Sequence, residues 1–456
     1  MLTCDVRESR GPARRWRLAP WSVLAGATMA ALAGPAAASA QAEAEPVLPG
    51  PRLERDALVQ AVLDRNPTLH TARHAWQAAL ERIPQATSLD DPTLSYSFAP
   101  LSVASGDARY GQVARLAQRL PFPGTLRLRG EVACAEAEAA RYGVDAARLS
   151  LAYIAALLFA DYYYVERSVE INEEHVSLLE GFKRIATARY AAGVAAQQDP
   201  LQAEVELAHL IHRRVVLAAD HDVLVAQINA LLHRRPEAPL PPAPATLRRP
   251  GPGGDADPAA LQEEAVRRRP ELGAAAAEIE AREAAVDLRE LGFRPGFEVM
   301  SSYNSMWGTG DHRWMVGLGI RLPLRRSRIR ASVAEAEARL DQARSERERL
   351  EDEVRSEAQQ AHARIGEARH VVELHVSRLL PAARDQVQAA LSGFRAGRNS
   401  FLAVIEAERN QRTTRLGLEA ALADHDRARA RLDRALGRIP GAPPEQEAKP
   451  TEGRLP

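Results

Sequence analysis

The chain copies its own plan. Arg65-Asn66-Pro67-Thr68-Leu69 returns as Arg268-Arg269-Pro270-Glu271-Leu272, and Asp91-Pro92 returns as Arg294-Pro295. Arg119-Leu120-Pro121 returns as Arg321-Leu322-Pro323, and Tyr190-Ala191-Ala192-Gly193 as Phe394-Arg395-Ala396-Gly397. The members of each pair lie about 200 residues apart and keep the same order, so whatever forms in the first half forms again in the second. The copies occupy 53–234 and 258–438, after an N-terminal segment 41–52. Between them, 235–257 is dense in proline and glycine (Pro236, Pro239, Pro241, Pro242, Pro250, Gly253, Gly254), the composition of a linker. The tail 439–456, with Pro443, Pro444 and Pro450, reads as disordered.

The first forty residues read as an address. Arg14, Arg15 and Arg17 precede an apolar run from Leu18 to Leu32, and Ala38-Ser39-Ala40 supplies small residues for cleavage, the layout of a secretory signal over 1–40. The run is shorter than the ~20 residues of a spanning helix. No later segment holds about 18 uninterrupted apolar residues, so a helical crossing of the membrane is not expected. Sixty basic and sixty acidic residues cancel, which gives no reason to expect a nucleic-acid partner.

Hydrophobic residues make up 46% of the chain, yet aromatics only 5%, which is thin material for several large cores and better suited to long helices. Each copy reads as helix, strand pair, long helix, turn, helix. The first helices cover 53–83 and 258–291, about 33 residues each; the long ones cover 130–191 and 328–395 and at 1.5 Å per residue would extend roughly 100 Å. The last cover 199–233 and 400–437, so two short helices end to end match one long one. Leu151, Ile154, Leu158, Tyr162, Val165 and Val169 form one seam at steps of three and four, and Leu350, Val354, Ala361, Ile365, Ala368, Val372 and Leu379 form another. Both are coiled-coil seams with a stutter.

Two stretches break the helical period. Trp314, Val316, Leu318, Ile320 and Leu322 alternate with Arg313, Met315, Gly317, Gly319 and Arg321, while Phe297, Val299, Tyr303 and Trp307 alternate with Glu298, Met300, Asn304 and Met306. Period two means strand. Gly308-Thr309-Gly310-Asp311 reads as the turn, giving a hairpin over 296–323. Leu94, Tyr96 and Phe98 with Ala114, Leu116 and Leu120 give a second hairpin over 93–120. Strands of about 10 residues suit a tilted bilayer crossing. Unpaired backbone groups in hydrocarbon cost several kcal/mol each, so four strands with two free edges must close with strands of other copies. Trp307 and Trp314 flank the turn as aromatic anchors would at a membrane interface.

The leader, the duplication, the two strand pairs and the Tyr190-x-x-Gly193 and Phe394-x-x-Gly397 turns resemble the TolC-like outer-membrane efflux proteins, over about 53–437. The run Ser302 to Trp307 with Arg313 to Gly317 resembles most the heavy-metal efflux branch. The resemblance implies a mainly α fold with transmembrane β: long antiparallel coiled-coil helices building a periplasmic α-barrel, and a homotrimer whose chains pool four strands each into one 12-stranded outer-membrane barrel. It implies as partners a periplasmic adaptor protein and an inner-membrane pump of the resistance-nodulation-division type. It places Tyr190, Gly193, Val194 and Asp199, with Phe394, Gly397, Ser400 and Phe401, at helix tips that dock the adaptor. It also implies an acidic ring at the tunnel mouth, for which Glu406 stands in one position while Ala403 replaces the other acid.

No Ser/His/Asp arrangement, P-loop, HExxH or CxxC is present, so neither an enzyme nor a cofactor is expected. His70/His74 and His209/His212 have helical spacing but no third ligand in local register, and no metal site is expected there. Met300, Met306 and Met315 all fall on the alternation that would face the lumen; thioether suits Cu(I), and methionine also fills irregular space. A duct for secreted polypeptides and a periplasmic coiled-coil scaffold or adaptor are the other functions this pattern accommodates.

Overall fold

The structure is a computed structural model that describes residues 48, 50–100, 111–251, 257–307 and 310–440. The leader, residues 41–47 and 49 of the N-terminal segment, residues 101–110, residues 252–256, Gly308-Thr309 and the residues from 441 on lie outside the described residues.

The first copy opens with α1 (Arg55–Arg65), α2 (Pro67–Leu80) and α3 (Arg82–Thr87), and the second with α6 (Pro258–Arg268) and α7 (Pro270–Glu290). The uninterrupted opening helices expected from sequence are therefore each broken. Asn66 (φ −70°, ψ 123°) and Arg269 (φ −65°, ψ 120°) are extended, because a following proline disfavours the α conformation and Pro67 and Pro270 then start new helices. The two breaks are secured differently. Asn66 caps α2 by accepting from the Thr68 N–H at 2.9 Å and donates to the Leu231 carbonyl at 2.9 Å. Buried Arg269 pairs with Glu271 at 2.9 Å and Glu357 at 2.6 Å.

The long element of the first copy is one helix, α4 (Thr125–Ala191, 67 residues), returning as α5 (Gln198–Leu231). In the second it is α8 (Arg326–Leu374), one π-turn (His375–Leu379) and α9 (Leu380–Arg395), returning as α10 (Phe401–Ala435). The π-turn lies just ahead of Pro381, whose ring nitrogen has no hydrogen to continue the α ladder.

Because α4 packs on α2, α5, α7 and α10 together, its buried side is wider than a two-helix seam. Ala152, Ala155, Ala156, Phe159, Tyr162 and Tyr163 are buried, whereas Ile154, assigned to the seam, is exposed. Leu379 is likewise exposed, at the π-turn. By length and composition α4 also contains a window apolar enough to cross a membrane, of which 39% is buried inside the protein. The linker is pinned rather than free: Pro242 C=O accepts from Leu53 N–H at 2.9 Å, and Asn229 donates to the carbonyls of Pro236 and Ala238.

The strands are β1 (Thr93–Phe98), β2 (Gln112–Leu120), β3 (Gly296–Asn304) and β4 (Trp314–Arg321), in one antiparallel sheet of order β1-β2-β3-β4. The fold class read from sequence, long helices with four strands, is what the structure shows. The strands are shorter than the expected ~10 residues, β1 spanning only six. Pro92 and Pro100 bracket β1, and proline cannot donate to a ladder.

Candidate functional site

The pairing register carries side-chain alternation across all four strands. Leu94 pairs with Leu116, Leu116 with Ser301 and Ser301 with Val316; Tyr96 pairs with Ala114, Ala114 with Tyr303 and Tyr303 with Trp314. Residues paired in this way share a face. One face therefore carries Leu94, Tyr96, Phe98, Leu116, Val299, Val316, Leu318 and Ile320, and it is bare: Leu94 is 74% and Val316 82% exposed. A soluble chain rarely leaves so large an apolar patch in water. Both edge strands, β1 and β4, keep one side without a strand partner among the described residues.

The opposite face is polar, with rows Ser95–Arg115–Ser302–Met315 and Arg119–Glu298–Gly319. Met300 and Met315 are on this face, diagonal to one another. Gly317 makes room for Met300: a Cβ there would sit 3.1 Å from Met300 Cγ. Met306 lies past the end of β3, its N–H bonded to Asn304 Oδ1 at 3.0 Å, so only two of the three thioethers belong to the strand wall. Trp314 is exposed on the apolar face beside Tyr303, and Trp307 stacks on His312.

At the far end of the helices the two turns share one geometry. Gly193 (φ 73°) and Gly397 (φ 70°) take the left-handed conformation. Gly193 N–H donates to the Tyr190 carbonyl and Val194 N–H to that of Arg189; Gly397 N–H donates to Phe394 and Arg398 N–H to Gly393. These are paired Schellman motifs, which need a residue without a Cβ penalty at that position. Tyr190 and Val194 are exposed, and Asp199 lies in the first turn of α5. Ser400 caps α10 by accepting from the Ala403 N–H. Phe401 is buried against Phe394 and Phe182, and the Arg189 guanidinium lies 4.5 Å from the Phe394 ring centre. The tip is thus held by an aromatic cluster drawn from α4, α9 and α10.

Glu406 is exposed on α10. Two residues on, Glu408 is buried in a cluster with His175 of α4, Glu206 of α5 and Arg409 and Arg412 of α10, which sequence reading did not single out. Arg409 pairs with Glu206. His175 Nε2 is buried without a hydrogen-bond partner among the described residues. Burial, with Arg415 and Arg412 adding to it, lowers the His175 pKa to about 4. Burial raises the Glu408 carboxyl, against the pull of Arg415. No signal in the sequence marks these residues, since each is a polar side chain on a polar helix.

Residues 261–438 match the family model of outer membrane efflux proteins, which covers the second copy. No curated protein matches the chain by sequence. Among solved structures, the outer-membrane channel OprN superposes with TM-score 0.71 at 23% identity, over 84% of this chain and 89% of that one. CusC, whose structures concern transmembrane channel formation, gives 0.73 at 18% over 84% and 92%. The outer membrane protein VceC from Vibrio cholerae gives 0.70 at 18% over 84% and 96%. The fold is theirs.

Proposed function

We propose that this protein is an outer-membrane efflux protein: the passive exit duct of a tripartite efflux system, in which three copies pool their strands into one 12-stranded barrel and their helices into a periplasmic tunnel. The observation that carries this reading is the sheet, apolar and bare on one face, polar on the other, and with no further strand at either edge among the described residues. In lipid the apolar face is satisfied at once, and only closure with other copies satisfies the edges. Trp307 and Trp314 then lie toward the membrane–water boundary, and Met300 and Met315 line the lumen.

The helix tips are the surface on which a periplasmic adaptor docks, joining the duct to a proton-driven inner-membrane pump. Tyr190, Val194 and Asp199 present themselves there, Gly193, Gly397 and Ser400 shape the turns, and Phe394 and Phe401 support them from beneath. The cargo is a heavy-metal cation or a small toxic molecule, the metal reading being motivated by the runs Ser302 to Trp307 and Arg313 to Gly317. Chemistry is not required of the duct, because the pump supplies the energy.

Fractionation tests the proposal. The protein is expected in the outer membrane as a heat-sensitive trimer that needs detergent for release and forms pores in planar bilayers. A monomer in the aqueous periplasmic extract would overturn it. Three Glu406 side chains around a narrow mouth would favour cations at that point, so Glu406→Gln should shift single-pore selectivity toward anions. Unchanged selectivity would remove Glu406 from the gate.

A further inference from the structure

We propose that the strand-walled section of the duct selects for anions, and that Arg115, Arg119, Arg313 and Arg321 set this preference. The inference rests on the sheet being the wall of a membrane barrel and concerns the face turned away from lipid.

The register decides which side chains line that face. Arg115 pairs with Ser302 and Arg119 with Glu298, both opposite in sense to the apolar positions Leu116 and Leu120. Arg321 pairs with Gly296, on the same side as Glu298. Arg313 immediately precedes Trp314 and is paired with Asn304, whose N–H donates to its carbonyl at 2.8 Å, so it too lies opposite the apolar face. Among the described strand residues Glu298 is the single acid on this face. It stands across from Arg119 and diagonal to Arg321, and one carboxylate can neutralise at most one of them.

Among the described residues none of Arg115, Arg119 and Arg321 takes part in an ion pair, and Arg115, Arg119 and Arg321 are exposed. Gly317 and Gly319 put no side chain of β4 between Met315 and Arg321, and the space over them is taken by Met300. Threefold closure repeats the excess around the lumen, and low-dielectric walls focus such a field on the passage. The duct would then carry acid at its periplasmic mouth, from Glu406, and base through its membrane section.

The test uses purified trimers in bilayers of neutral lipid under a KCl gradient. The variant Arg115→Gln/Arg119→Gln/Arg313→Gln/Arg321→Gln is expected to lower the chloride-to-potassium permeability ratio by at least about threefold. The matching fourfold Arg→Lys variant should keep the wild-type ratio, which separates charge from packing. If the glutamine variant does not assemble, Arg115→Gln and Arg119→Gln alone should each move the ratio the same way. Inositol hexakisphosphate added on the outer side should also block wild-type pores. An unchanged ratio, or pores indifferent to the polyanion, would overturn this inference and leave the duct standing. Absence of any pore would overturn the duct reading, and this inference with it.

Discussion

At the scale of single residues, His175 shows how a helix-borne polar group becomes sensitive to pH. Its ring is buried where α4, α5 and α10 converge, and its pKa is lowered to about 4 from an ordinary 6.5 by burial first and by Arg415 and Arg412 after it. Above pH 6.5 the ring is neutral in folded and unfolded chains alike and has no effect. As pH falls from about 6.5 toward 4 the unfolded chain takes the proton first, so stability is lost, with a ceiling of about 3 kcal/mol. Glu408 works in the opposite sense: burial raises its pKa, and the folded chain takes its proton more readily as pH falls. Chemical denaturation of His175→Gln at pH 7 and pH 4.5 should therefore show a smaller acid loss than wild type. Equal losses in the two proteins would show that the ring is not the sensor.

Among elements, the contact of α4 with α7 depends on an absent side chain. Gly273 faces Tyr142, and a Cβ there would lie 2.4 Å from the ring. Gly273→Ala should gain up to about 1 kcal/mol of helix propensity and lose about 1–3 kcal/mol to overpacking, a net destabilisation readable in thermal unfolding. The double variant with Tyr142→Ala should not show the overpacking loss, and additive effects would contradict the contact. The helix breaks at Pro67 and Pro270 were legible in principle, since a residue before proline avoids the α conformation, yet helical periodicity on both sides hid them. The exposure of Ile154 was not legible. Steps of three and four identify an amphipathic helix, but not how many neighbours will share it.

For the whole molecule, the apolar sheet face, with no further strand at either edge among the described residues, links fold to function. Val316 is 82% exposed at the middle of β4. In a lipid-facing wall Val316→Arg should cost about 2–4 kcal/mol per chain and reduce the heat-sensitive trimer in the outer-membrane fraction. Arg in place of Ser302, on the polar face, should be tolerated. If both variants assembled equally, the faces would not be assigned to lipid and lumen. The geometry of the tips belongs to this scale too: Phe182, Phe394 and Phe401 come from three helices, and their cluster joins the two copies.

Periodicity and punctuation are local properties, and they were readable in order along the chain: the duplication, the long helices, the alternating strands and the glycine turns at 193 and 397. Burial is not local. Whether Phe401 faces a partner or a core, whether Glu408 meets water, and which arginines share a face with Glu298 depend on segments up to two hundred residues apart meeting in one register. The folded arrangement alone decided them, because solvation and charge follow from the neighbours a side chain acquires and not from its own identity.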